Sequence, residues 1–381
     1  MNAFSQEKRI KVGVVFGGRS PEHEVSLVSA ASVMQALDPK KYEVLPIGIT
    51  PEGRWLASSD ALRLLKEKTP VERYPEHTIV PNPQYQGLMS LNSSLTGPAL
   101  YHVDVLFPVL HGVFGEDGAI QGLFELSGIP YVGAGVLGSA IGMDKVVQKQ
   151  LLRQAGIPVT PGLWFTSDEF QKNRKRILES AARKIGYPAF VKPANLGSSI
   201  GISKARNVKE LEAAINLAAE YDRRILVEKA VRRAREIECS VLGNDNPVAS
   251  LPGEIVPSNE FYDYDAKYVD GKSTALIPAK LPKSVIRKIQ DLSVHAFCIL
   301  DCAGMARVDF LVAAGSTKVF LNEINTIPGF TSISMYPKLW EASGISYPDL
   351  LDRLIQLAFE RHGTRMHLQT AYKPKSGWYR Q

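Results

Sequence analysis

Short apolar runs recur along the chain between stretches of helical periodicity. Residues 10–16 (IKVGVVF) read as a buried strand ending in Gly17-Gly18. Ser20 offers a helix N-cap and Pro21 a first helical position, so a helix is predicted to about Leu37. Two further runs, 44–50 (VLPIGIT) and 103–110 (VDVLFPVL), flank a loop-rich stretch, 70–98, that is expected to be an irregular insertion. The second of these leads into a glycine-rich loop, His111 to Gly118. Strands alternating with helices predict a parallel α/β domain, whose sites lie at the carboxyl ends of its strands.

Glycines cluster from 133 to 142, and a helix is expected from Met143 to Ala155, closed by Gly156. A second unit follows, with a strand at 188–192, a glycine-serine loop, a strand at 200–203, a helix at 208–219 and a strand at 225–228. The last unit begins near Glu228 and closes with a helix at about 347–362 and a polar tail. The chain thus divides into an N-terminal α/β domain (1–134), a central lobe (135–227) and a C-terminal lobe (228–381), with no internal repeat.

The 381 residues suffice for two or three domains, and 45% hydrophobic and 22% charged content are ordinary for globular proteins. A net charge of +6 is modest. The basic cluster 172–176 reads as an exposed helix face, and neither it nor the one at 232–235 has interleaved aromatics, so nucleic acid is not an expected partner. Cys239, Cys298 and Cys302 form no disulfide framework; Cys298 and Cys302, four apart on a helical stretch, are expected to be buried thiols. No apolar run approaches a membrane span and no signal-peptide core is visible, so a cytoplasmic protein is expected.

The densest chemistry lies in residues 305–334 (MARVDFLVAAGSTKVFLNEINTIPGFTSIS). Arg307 and Asp309 share a face if this is a strand, and so do Glu323 and Asn325. A hairpin followed by Pro328-Gly329 would then gather three oxygen ligands and one guanidinium, a set suited to Mg²⁺ serving phosphates. The alternative is a solvated strand face; Val308, Phe310, Val319, Leu321 and Ile324 look like core in either case. The loop after Lys192 (ANLGSSIG) is small enough for backbone N–H groups to approach an anion, or is an ordinary Gly-Ser hairpin. Glu22 reads equally as a carboxylate in a first helical turn, Lys145 as a surface lysine, and His111 as structural. The 266–273 stretch (AKYVDGKS) fits a relaxed phosphate-loop pattern, but it lacks the preceding strand and the following helix. Rich in Tyr, Asp and Lys, it reads instead as a lid loop.

In order, the blocks VVFGGRSPEHEVS, HGVFGEDGAIQG, MDK, FVKPANLGSS, VEK, GEIV…FYDYDAKY, ARVDF and NEINTIPGFTSISMYP give the chain its likeness to a family. From about Val12 to His362 it resembles D-alanine–D-alanine ligases, ATP-grasp enzymes of peptidoglycan synthesis. The resemblance implies an α/β fold in which a parallel α/β (pre-ATP-grasp) domain precedes a two-lobed α+β ATP-grasp unit with a lid at 254–275. It implies D-alanine and ATP as substrates, two Mg²⁺ (or Mn²⁺) on Asp309, Glu323 and Asn325 with Glu323 bridging, and a homodimer. Lys145, Lys192 and the Gly197-Ser198-Ser199 loop would meet the phosphates, with Lys267 and Asn322 also at the nucleotide. Glu228, Lys229 and Val231 would line the adenine pocket and Glu236 hold the ribose. Glu22 and His111 would bind the first D-alanine, and Ser334 and the Met335 N–H the carboxylate of the second. Arg307 and the Gly329 N–H would stabilise the oxyanion. Tyr268, bonded to Ser198, would favour the amide product over an ester with D-lactate. Leu196 stands where relatives more often carry Glu or Gln.

Overall fold

A computed structural model describes residues 8–91, 100–256, 274–331 and 333–369. From Val12 onward every residue of β1 (Ile10–Gly17) is buried, which is the state of a strand covered on both faces of a parallel sheet. It pairs in parallel with β2 (Tyr42–Ile49) and with β7 (Val105–Pro108), and β3 (Trp55–Ala57) adds an antiparallel edge to β2. Helix α1 (His23–Ala36) packs on β1 and α2 (Ala61–Lys66) on β2. Helix α1 starts two residues later than predicted, because Glu22 sits at the cap with φ −97° and ψ 17° and donates its N–H to Ser20 Oγ at 3.1 Å.

The stretch expected to be irregular instead carries β4 (His77–Ile79) and β5 (Gly87–Ser90), which form a small antiparallel sheet with β6 (Leu100–His102). Strands of three and four residues are too short to display a period in the sequence. Helix α3 (Ala119–Ser127) and helix α4 (Val136–Met143) follow. The helix expected to start at Met143 starts at Lys145: Asp144 turns the chain out of helix, and its Oδ1 accepts the Val146 and Val147 N–H groups at 3.0 Å each to open α5 (Lys145–Gln154).

A second sheet, order β10-β9-β11-β8, is antiparallel throughout: β8 (Gly162–Thr166), β9 (Ala189–Pro193), β10 (Ser203–Ala205) and β11 (Arg224–Lys229). It packs on α6 (Ser167–Lys184), whose basic cluster 172–176 is largely exposed as expected, and on α7 (Val208–Tyr221). Strand β10 begins at 203 rather than 200 because Ser198, Ser199 and Gly201 adopt positive φ and turn the chain.

The third sheet runs β15-β14-β12-β16-β17, with β13 on β12: β12 (Ala234–Gly243), β13 (Val248–Ala249), β14 (Gly253–Val256), β15 (Thr274–Leu276), β16 (Gly304–Ala313) and β17 (Val319–Asn325). Helix α8 (Lys283–Ile299) buries one face through Ile289 and Phe297 against Ile237, Val241, Val308 and Phe310. The opposite face carries Glu236, Glu238, Arg307 and Asp309. Helix α9 (Met335–Ala342) and helix α10 (Tyr347–Met366) close the fold, α10 packing against α1 and β7 as well as β12 and β16. Cys302 is buried as expected but Cys298 is exposed, since it faces outward at the end of α8. Among the described residues no helix is long and apolar enough to cross a membrane.

Candidate active site

All three larger sheets present polar groups to one cleft of about 1240 Å³, open to solvent. Its floor is the β16–β17 hairpin. Arg307 lies opposite Asn325 and Asp309 opposite Glu323; then the register slips, so that Phe310 faces Leu321 and Asn322 is an extra residue. Strict alternation would put Leu321 and Glu323 on the same face. The bulge lets Val319, Leu321 and Ile324 all enter the core while Glu323 and Asn325 face the cleft.

Arg307 donates to both oxygens of Asp309, each at 2.7 Å, and lies 3.0 Å from Glu238. Glu238 stands opposite Asp309 in register, so Glu238, Asp309 and Glu323 form a row across three strands. Asn325 Nδ2 donates to Asp309 Oδ2 at 3.0 Å. Among the described residues no three His, Cys, Asp or Glu side chains are placed to hold a metal by themselves. Two carboxylates and an amide are instead a partial oxygen set, which suits an ion that keeps other oxygens as Mg²⁺ does with phosphates. With the Asn325 carbonyl oxygen turned inward, Asp309, Glu323 and Asn325 fit such an ion.

Two buried lysines flank that corner. Lys145, at the start of α5, donates to the Leu196 carbonyl at 2.7 Å and lies 3.4 Å from Glu323. The main chain of Leu196 thus makes the contact, and its side chain takes no part in it. Lys192, on β9, reaches Glu228 at 3.0 Å and the bulged Asn322 at 3.1 Å. Glu228 is buried and also accepts from Lys149 (2.5 Å) and Thr160 (2.7 Å). Next along the chain, Lys229 is exposed, its N–H on the Pro161 carbonyl at 2.9 Å, and Val231 and Glu236 are half-buried.

At the other end of the cleft Glu22 is buried beneath the 197–199 loop, and Ser198 donates to its Oε1. A methyl group on Gly197 would lie 2.7 Å from Glu22 Oε2, so a side chain there would collide with the carboxylate. Glu116 lies deep in the same wall; burial and the neighbouring Glu22 push its carboxyl up to about 8. Burial likewise keeps His111 below the ordinary imidazole range. Ser334 precedes α9 and its Oγ accepts the Thr331 N–H at 3.0 Å, so the N–H groups that open α9, starting with Met335, lie beside the cleft. A methyl group on Gly329 would lie 2.8 Å from Ser334 Oγ. Tyr268 and Lys267 lie outside the described residues; Ile255 and Ala275, at the edges of that stretch, line the cleft.

Sequence reasoning missed Glu116, Lys149 and Glu238. The alternation of Glu236 and Glu238 with Ile237 and Cys239 was a usable signal for Glu238. Lys149 shares a helix face with Lys145 at a spacing of four, but nothing local says that the face is buried.

The family model described as "D-ala D-ala ligase N-terminus" matches residues 11–134, and "D-ala D-ala ligase C-terminus" matches 151–356. The D-alanine--D-alanine ligase of Natranaerobius thermophilus is 50% identical over 354 residues, covering 93% of this chain and 96% of that protein. That of Caldicellulosiruptor bescii is 51% identical, with the same coverage. Among solved structures, the D-alanine-D-alanine ligase from Coxiella burnetii superposes with a TM-score of 0.80 at 39% identity, covering 94% of this chain and 97% of that one. The VanG D-Ala:D-Ser ligase from Enterococcus faecalis gives 0.81 at 36% identity, covering 92% and 100%. With the N-terminal and C-terminal family models matching residues 11–134 and 151–356, and relatives about 50% identical over 93% of the chain, this chain belongs to the D-alanine–D-alanine ligase family.

Proposed function

We propose that this chain uses ATP to join two D-alanines into D-alanyl-D-alanine, releasing ADP and phosphate, for peptidoglycan precursor synthesis. The observation that carries this reading is a cleft that runs from Glu323 and Asn325 to Glu22, Ser198 and the start of α9, with Lys145 3.4 Å from Glu323 and Lys192 3.1 Å from Asn322 behind its Glu323 end. Lys145, Lys192 and the 197–199 loop take the ATP phosphates, Lys229 and Val231 the adenine edge beside Glu228, and Glu236 the ribose. Asp309, Glu323 and Asn325 would hold two Mg²⁺, or Mn²⁺, which when bound neutralise charge on the transferring phosphoryl group.

Glu22 holds the ammonium of the first D-alanine, whose carboxylate attacks the γ-phosphorus. ADP leaves and an acyl phosphate forms. The amine of the second D-alanine, its carboxylate on Ser334 and the Met335 N–H, then attacks the acyl carbon, and phosphate departs. Arg307, held in place by Asp309 and Glu238, and the Gly329 N–H carry the oxyanion, each donor being worth about 3 kcal/mol. The 254–275 stretch, with Lys267 and Tyr268, excludes water that would hydrolyse the acyl phosphate. Domain spans of 1–134, 135–227 and 228–381, a cytoplasmic location and a homodimer complete the reading, supported by the family resemblance.

The test is phosphate release from ATP that depends on D-alanine, with the product identified. Dipeptide from D-alanine alone is expected; release with D-lactate or D-serine as second substrate, and none with D-alanine, overturns the product assignment. Tyr268→Phe separates amide from ester specificity: a product ratio that shifts toward D-lactate is expected, and an unchanged ratio removes Tyr268 from that role.

A further inference from the structure

The peptide chain on either side of Gly329 is gripped by groups from the N-terminal sheet unit. Two residues before it, the Ile327 N–H donates to Glu116 Oε1 and the Ile327 carbonyl accepts from His111 Nδ1, both at 3.2 Å. One residue after it, the Phe330 N–H lies 3.5 Å from Ser29 Oγ on α1, which is itself 3.3 Å from His111 Nε2. Glu116 is anchored in turn, its Oε2 accepting the Gly112 N–H at 2.8 Å. Glu116 and His111 are 9% and 5% exposed, and these bonds engage both oxygens of the one and both ring nitrogens of the other. Groups so engaged hold backbone, even though both also line the cleft.

We propose that Glu116 and His111 are positioning residues for the second chemical step, aiming the Gly329 N–H at the oxyanion through the Ile327 peptide. The inference rests on the reading of Gly329 as an oxyanion donor. Such a donor works only when its nitrogen lies about 2.7–3.1 Å from the developing oxyanion, a tolerance of a few tenths of an ångström. A clamp two residues away fixes that aim and leaves the phosphoryl-transfer corner untouched. When the clamp is loosened, the amine attacks the acyl carbon more slowly while the acyl phosphate still forms. Water then hydrolyses the acyl phosphate to D-alanine and phosphate, so more phosphate is released than dipeptide formed.

The readout is the ratio of phosphate to dipeptide, measured with the KM for ATP. His111→Gln moves the donor nitrogen away from the Nδ1 position, whereas His111→Asn keeps an amide nitrogen near it. His111→Gln and Glu116→Ala are expected to lower the dipeptide rate about 10- to 100-fold and raise the ratio about twofold or more, with the KM for ATP little changed. His111→Asn should return the ratio toward the stoichiometric value, and Glu116→Gln, which keeps one acceptor oxygen for the two N–H groups, should return it only part of the way. Arg307→Lys is the comparator, since it alters the other oxyanion donor and leaves the clamp intact. If it raises the ratio while His111→Gln and Glu116→Ala do not, the clamp is only structural glue and the inference falls. If none of the three raises it, the oxyanion reading itself falls. Should Glu116→Ala fail to fold, the two His111 variants decide.

Discussion

One buried carboxylate, Glu228, serves two ammonium groups. Burial alone would raise Glu228, but Lys149 and Lys192 outweigh it and hold the carboxyl at about 2. The lysines share that charge unequally. Burial drives Lys149 down to about 8, with the Lys192 charge adding to the fall and Glu228 offsetting part of it. Lys192 bears the same burial, yet Glu228 and Glu323 together raise it above the ordinary range. Glu228→Gln leaves two buried cations without their shared anion and is expected to cost about 3–5 kcal/mol. Lys149→Met leaves Glu228 still paired with Lys192 and Thr160, so it should cost less than half as much; urea denaturation ranks the two, and the reverse order would refute the shared-anion picture. The pH dependence follows from the same shifts. The folded Glu228 titrates below its unfolded value of 4.5, so its contribution is present above pH 4.5 and lost as pH falls through about 2. Between about 8 and 10.5 the unfolded chain holds more proton on Lys149 than the folded one, so this group makes stability rise with pH there. Melting temperature against pH should lose the acid-side fall attributed to Glu228 in Glu228→Gln, and the alkaline rise in Lys149→Met.

Helix α5 delivers Lys145 and Lys149 to the site from consecutive turns, and Asp144 decides where it starts. Asp144→Ala removes two capping hydrogen bonds and the ion-pair partner of Arg224, so a loss of about 2 kcal/mol is expected. The KM for ATP should rise several-fold as Lys145 loses its fixed origin, and an unchanged KM would show that Leu196 and Glu323 alone hold that lysine. The two-residue spacing of Arg307 with Asp309 and of Glu323 with Asn325 made the hairpin legible, because alternation survives within each pair. The bulge at Asn322 was hidden, although Leu321 and Glu323 could not both follow one alternation and face opposite ways. Glu116 and Lys149 were illegible for a different reason: each is defined by a partner more than seventy residues away, Ile327 for one and Glu228 for the other. No local periodicity reports such a pairing.

At the scale of the whole molecule, hydrophobic burial divides the chain differently from its order. One cluster runs from β1 and α1 through Phe330 and Tyr336 to α10, so the last helix closes the first sheet. Polar contacts repeat the link: Asp352 accepts from Lys41 (2.6 Å) and Tyr42 (2.8 Å), and the Arg361 guanidinium lies 4.1 Å from the Tyr131 ring centre. The β8–β11 sheet, with α6 and α7, instead has its own core, drawn from residues 163–227. Apart from the small Val146, Ala194 and Leu226 cluster, its ties to the site are polar, through Lys192 to Asn322, Glu228 to Lys149, Ser198 to Glu22 and Arg224 to Asp144. A unit with a private core and polar hinges opens on its own, at a free energy below that of global unfolding. Hydrogen exchange should therefore find β9 and α7 exchanging through a cheaper opening than β1 and β2. A nucleotide that bridges Lys192 to the β16–β17 hairpin removes this difference, because it binds only the closed unit. At one hundred times Kd, ADP with Mg²⁺ adds about 2.7 kcal/mol to the opening of β9. It adds little to β1 beyond what global linkage requires. Equal protection of β9 and β1 without nucleotide would mean that the polar ties are as strong as the shared core, and that the sheet does not open separately.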